Sequence, residues 1–178
     1  SSSRVAVEVC AHKNGIVVMG EVTSKAKIDI ERIVRNTIID VGYDNDNLGF
    51  NGNNVKVSIN INTQSNDIAM GVNTSSDSKL LGAGDQGMMF GYATDETENF
   101  MPYSIYLANK LSEKLYNAFK TKKIPYLRPD GKTQVTICYI DDVPKYVDTI
   151  VISAQHDEID LDTLRKDIKE KIIDKTIP

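Results

Sequence analysis

Six residues, Gly82-Ala83-Gly84-Asp85-Gln86-Gly87, set one carboxylate among three glycines. Glycines let a backbone approach a ligand closely or take positive φ. The apolar run behind them, Met88-Met89-Phe90-Gly91-Tyr92-Ala93-Thr94, reads as a buried strand that would hold Asp85 rigidly. A glycine turn with a solvated aspartate satisfies the same pattern. A phosphate loop does not, since no Lys-Ser/Thr follows the last glycine and no helix opens there. A second constellation lies near the start. If Asn14-Gly15 forms the centre of a hairpin turn, Glu8 comes to face Glu21 directly across the strands. Opposed carboxylates repel, and they are tolerated when both are solvated, when a lysine intervenes, or when a cation or a ligand ammonium sits beside them. A third, Leu127-Arg128-Pro129-Asp130-Gly131-Lys132, reads as a turn that delivers a lysine to the mouth of a strand, either to meet phosphate or as an ordinary surface cation.

The elements that must position these groups follow from hydrophobic period. Val5, Val7 and Val9 alternate with polar or small residues and return as an apolar strand over 16–22, a hairpin. A helix is expected over 28–41, with Ile30, Ile33, Val34, Ile38 and Val41 on one face and Gly42 as its stop. An Asn- and Gly-rich loop over 44–54 leads to a strand carrying Val55, Val57, Ile59 and Ile61 on one side. Residues 63–83 have no period, and a stretch of that kind is more often functional or disordered than a mere connector. Pro102 is expected at the first position of a helix reaching Lys120, with Ala108, Leu111, Leu115 and Ala118/Phe119 as its apolar stripe. Strands over 133–139 and 146–154, a turn over 141–145, and a helix over 161–173 capped by Asp160 complete the chain. Ile28-Asp29-Ile30-Glu31 aligns with Ile159-Asp160-Leu161-Asp162 and Ile33 with Leu164, so two halves repeat one α+β unit of sheet plus helix. Each unit leaves a sheet face in need of a partner.

Composition narrows the function classes. The 178 residues are 40% apolar with a net charge of −4, enough for a sizeable core and ill suited to nucleic acid or acidic membrane. The one dense basic patch, Lys120, Lys122 and Lys123, falls at a helix end, where cations favour the dipole. No apolar run approaches the roughly 18 residues of a membrane span. Cys10 and Cys138 sit in strand-like runs and read as reduced core thiols in a cytoplasmic protein.

Five stretches, in this order, carry a resemblance. VAVE (5–8), GEVTSKAKIDIE (20–31), GAGDQGMMFGYATDET (82–97), LRPDGKTQVT (127–136) and SAQHDE (153–158) closely resemble S-adenosylmethionine synthetase, or methionine adenosyltransferase. The resemblance covers essentially the whole chain and roughly the middle of a family chain. The family's upstream His-Pro-Asp-Lys type motif and downstream glycine-rich stretch are not among these residues, so the 178 residues by themselves are expected not to complete the reaction. The resemblance implies attack of the methionine sulfur on C5′ of ATP with loss of tripolyphosphate, aided by Mg²⁺ and K⁺. It makes Glu8 the potassium ligand, and Glu21, Gln64 (in TQSND) and Asp85 methionine-binding residues. Asp130, Gly131 and Lys132 become ATP-binding, with Lys132 and Asp85 catalytic. It further implies interleaved α+β domains about a pseudo-threefold axis. In that frame residues 1–62 are part of a central domain, 63–81 a mobile gate, 82–95 a strand of a further domain and 96–178 most of another. A homodimer or dimer of dimers with shared active sites is implied as well. Two other classes fit the residues: a non-catalytic regulatory or assembly relative, and a small-ligand binding module with a cation in its acidic hairpin.

Overall fold

The alternating valines and isoleucines at the start of the chain form a three-stranded sheet. The computed structural model describes residues 3–13, 15–63 and 86–177, in two units, Ser1–Phe90 and Gly91–Pro178. In the first unit β1 (Arg4–His12) pairs antiparallel with β2 (Gly15–Thr23), and β2 pairs parallel with β3 (Lys56–Asn62). Helix α1 (Ile30–Val41) supplies the crossover a parallel pair needs. The Asp29 side chain accepts from the Arg32 N–H at 3.0 Å, satisfying an orphan donor at its first turn, and Gly42 closes it at a φ of 122°. Ile16, Val18, Ile38 and Val55 are buried between sheet and helix. Ile30 and Val34 join that core as the helical period requires. Ile33 and Val41, expected on the same face, are instead exposed: the stripe that packs on the sheet is the narrower i, i+4, i+8 row Ile30, Val34 and Ile38.

The first hairpin differs from expectation in register. His12 pairs with Gly15, so the strands turn one residue earlier and Gly15 belongs to the sheet. The reason lies in β3: Gly15 pairs with Lys56, and a Cβ on it would come within 2.7 Å of the Lys56 carbonyl oxygen. The glycine serves a close strand approach, which a local turn reading does not see.

In the second unit α2 (Tyr103–Lys120) lies along β4 (Leu127–Ile140), which pairs antiparallel with β5 (Val143–His156). The expected stripe is borne out, with Leu107, Ala108, Leu111, Leu115, Ala118 and Phe119 all buried. Pro102 sits at the N-cap and not at the first helical position, and it has no side-chain bond to offer. Glu96, seven residues upstream of Tyr103, takes over: its Oε2 accepts from the Tyr103 N–H at 2.9 Å and from the Tyr139 hydroxyl at 2.6 Å. The hydrogen bond from Tyr139 holds the Glu96 carboxyl below its usual range, and the same bond pushes the phenol up to about 12. Asp141 and Asp142, both at positive φ (52° and 58°), make the whole turn of the second hairpin, shorter than the sequence implied. Helix α3 (Leu161–Lys171) begins where expected, the Asp160 carboxylate accepting from the Thr163 N–H at 2.8 Å. The two aspartates aligned by the internal repeat are thus both N-caps.

Two further expectations fail. Residues 86–94 form no strand, and Met88, Met89, Phe90 and Tyr92 are all more than three-quarters exposed. An apolar run becomes a strand only by pairing with a neighbouring edge. Cys10 is exposed, since it shares the sheet face opposite α1 with Glu8; Cys138 is half-buried, and both thiols are free. No helix among the described residues is long and apolar enough to cross a membrane.

Candidate functional site

Each unit presents one group of candidate residues on its hairpin. In the first, Glu8 pairs with Met19 and Glu21 with Ala6, so the expected direct opposition of the two carboxylates is not formed. Met19 and Glu21 lie two residues apart on β2, and both carboxylates therefore remain on one face, opposite Ile16 and Val18, as diagonal neighbours. Diagonal pairs sit about 7–8 Å apart between Cα atoms. At that distance repulsion between exposed carboxylates is mild, and the pair still makes the face attractive to a cation or an ammonium group. Asn60 on β3 lies beside Met19 on this face and adds an amide oxygen.

These oxygens fit the periphery of a cation site and do not by themselves complete one. Among the described residues, no three His, Cys, Asp or Glu side chains converge on one point. Magnesium commonly takes one or two carboxylates together with waters and substrate phosphates. Such a site does not require a preformed protein cage.

In the second unit the stretch 127–132 is not a turn. It is the first part of β4, bulged: Leu127 pairs with His156 and Gly131 with Ala154, so three residues of β4 face Gln155 alone. Pro129 has no N–H for the ladder, which favours an irregularity at this point. Gly131 is needed because a Cβ there would lie 2.4 Å from Leu115 Cδ2, on the buried side of α2. Thr133 also faces the helix, its hydroxyl donating to the Ala108 carbonyl at 2.8 Å. Lys132 lies between two helix-facing residues, so it projects from the opposite, open face, where it is exposed and pairs with Ser153. Asp130 and Gly131 border a cleft of about 220 Å³ on the helix side, with Tyr116, Phe119 and Arg128.

The structure thus puts Asp130 at the end of the bulge beside Gly131 and Lys132, where the ladder resumes, and sets Glu8 and Glu21 on one sheet face. Gln64 and Asp85, and the expected gate over 63–81 almost in full, lie outside the described residues. Sequence reasoning missed two supports. One is Glu96 as a remote cap. The other is the ion pair of Arg128 Nε with Asp157 Oδ1 at 2.8 Å, which joins LRPDGK to SAQHDE. Its signal lies in the placement of an arginine and an aspartate inside two separate motifs.

A family model described as the central domain of S-adenosylmethionine synthetase matches residues 80–178, and one for its N-terminal domain matches residues 1–66. The chain belongs to the S-adenosylmethionine synthetase family. The resemblance had put residues 1–62 in a central domain, whereas the N-terminal model claims them. Among curated relatives, the S-adenosylmethionine synthase of Clostridium botulinum (strain Alaska E43 / Type E3) is 47% identical over 187 residues, covering 100% of this chain and 48% of that protein. Those of Nocardia farcinica (strain IFM 10152) and Pseudothermotoga lettingae are 50% and 48% identical, covering 98% and 99% of this chain and 46% and 48% of theirs. The synthetase chain described here therefore spans about half the length of the curated relatives it matches. The mixed sheets and helices agree with an α+β synthetase fold.

Proposed function

We propose that these residues form part of a methionine adenosyltransferase acting on ATP and L-methionine. The methionine sulfur donates its lone pair to C5′ of ATP as the C5′–O bond breaks, and the electron pair leaves with tripolyphosphate. Water then cleaves tripolyphosphate to pyrophosphate and phosphate. The chemical difficulty is the charge of the leaving group, met by fixed cations and alignment in place of a covalent intermediate.

The observation that carries this reading is Lys132, which directly follows the bulge and stands exposed on the open sheet face, with no carboxylate in ion-pair reach among the described residues. Its ammonium is free to hold ATP phosphate, with Asp130 and Gly131 at the nucleotide. Glu21 draws the methionine ammonium, supported by the acidic face it shares with Glu8. Gln64 and Asp85 join it on the strength of the sequence motifs alone. Glu8 contributes to potassium binding, and Mg²⁺, when bound with the phosphates, offsets their charge. On the strength of the resemblance, residues 63–81 serve as a gate and 96–178 make up most of one domain. The active assembly is a homodimer or a dimer of dimers, and the setting is cytoplasmic.

The full polypeptide, supplied with ATP, methionine, Mg²⁺ and K⁺, is expected to form S-adenosylmethionine with one pyrophosphate and one phosphate per turnover, read by mass spectrometry and phosphate release. ATP consumption without S-adenosylmethionine, or no consumption at all, contradicts the proposal.

A further inference from the structure

A bulge leaves unpaired residues, and unpaired residues need some other restraint if the side chains beside them are to point one way. On its far side the bulge of β4 is restrained by Gly131 against Leu115. On its near side the restraint is Asp157. The Asp157 carboxylate accepts from Arg128 Nε at 2.8 Å, and its backbone N–H donates to the Tyr126 carbonyl at 2.8 Å. One residue of the β5 end thus grips β4 on both sides of Leu127, which is itself buried. The grip is anchored further: the Tyr126 hydroxyl donates to Asp167 Oδ2 at 2.6 Å, and Lys171 Nζ lies 2.8 Å from Asp167 Oδ1, tying α3 to the same point.

We propose that Asp157, acting through Arg128, is a positioning residue that sets the bulge so that Asp130 and Lys132 meet a nucleoside triphosphate. This deepens the adenosyltransferase reading and rests on it. Arg128 is the residue closest in sequence to the nucleotide-binding group that carries a permanent charge, and its guanidinium is turned to Asp157. With its Nε held by Asp157, the side chain is placed to lock the chain beside the bulge. The Arg128 and Asp157 side chains are 31% and 57% exposed. A pair this exposed contributes little to stability, so its purpose must show in geometry. A misplacement of about 1 Å in a charged group at a reacting centre is enough to cost orders of magnitude in rate.

The test uses the full polypeptide as wild type, Asp157→Ala, Arg128→Gln, the double variant and Asp157→Glu. Steady-state rates are measured with ATP and methionine varied in turn, alongside thermal unfolding. Expected is a fall of about tenfold in kcat/KM for ATP in either single variant, no further fall in the double variant because the pair acts as one unit, and a KM for methionine within about twofold of wild type. Asp157→Glu recovers most of the loss, and unfolding midpoints move by no more than about 3 °C. Unchanged ATP kinetics in Asp157→Ala overturns the inference. So do equal losses for both substrates with a falling midpoint, or a loss in Arg128→Gln far beyond that in Asp157→Ala, which would mark Arg128 as a direct phosphate ligand. Titration with a non-hydrolysable ATP analogue separates this outcome from failure of the underlying reading. If wild type makes no S-adenosylmethionine, the function falls, while weaker analogue binding by Asp157→Ala still upholds the latch and equal binding removes it.

Discussion

The two hairpin-and-helix units share a plan and differ in how they use it. In the first, β1 and β2 run in unbroken register, and the sheet displays Glu8 and Glu21 on a flat face. In the second, β4 breaks register at the bulge and again near Thr136 and Cys138, and Lys132 stands where the ladder resumes after the first break. A regular ladder fixes side chains by strict alternation, so it holds a diagonal acidic pair without further help. A bulge re-aims a side chain and must be pinned from outside the ladder, here by Leu115, Asp157 and the Tyr126–Asp167 bond. The cores match that division. Among the described residues, eleven hydrophobic residues are buried around α2, β4 and α3 against four around α1. The first unit leaves Val5, Val9 and Ile59 exposed on the side of the sheet that α1 covers only in part. The unit with the irregular strand is the one packed most heavily.

That contrast can be broken at the bulge. Gly131→Ala drives a Cβ into Leu115, an overpacking expected to cost about 1–3 kcal/mol, seen as a lower denaturation midpoint with unfolding of α2. If stability is unchanged, the pinning by Leu115 is wrong. Tyr126→Phe removes a bond to a carboxylate at a half-buried site, worth about 1–2 kcal/mol after allowing for exposure. It also tests a pH dependence. Burial, then the bond to Asp167, pushes the Tyr126 phenol up to about 12, so the folded state holds this proton more tightly than the unfolded chain. The stabilisation is fully present below about 10 and is lost as pH rises through about 12. The wild-type stability profile should fall over that window more steeply than that of Tyr126→Phe, and parallel profiles would count against the bond. The smallest structural effect belongs to the regular hairpin. Glu8→Gln should leave the midpoint within about 0.5 kcal/mol of wild type while weakening activation by K⁺ more than methionine affinity. An unchanged K⁺ dependence would remove Glu8 from the cation site.

Much of this was legible in sequence wherever local signals agree with the tertiary answer. Asp29 and Asp160 announce their helices, and the Leu107 to Phe119 stripe names its buried face, because caps and period act within one element. The register of the first hairpin was not legible. Gly15 reads locally as a turn residue, yet its partner is Lys56, far along the chain and paired only once α1 has crossed over. Pro129-Asp130-Gly131 likewise reads as a turn until β5 takes hold of it. Met88 to Thr94 reads as a strand, and strand formation depends on an edge that those residues do not specify. Glu8, Glu21 and Lys132 were found by their motifs; how they are presented came only from pairing.

The central claim is a division of labour: the regular acidic hairpin serves methionine, and the bulged strand serves ATP. In the full polypeptide, Glu21→Gln and Lys132→Ala should be compared under both substrates. The account predicts that Glu21→Gln raises the KM for methionine about tenfold or more with ATP kinetics little changed. Lys132→Ala should lower turnover about a hundredfold or more while the protein stays folded. Near-normal turnover in Lys132→Ala, or equal effects of both variants on both substrates, would contradict it.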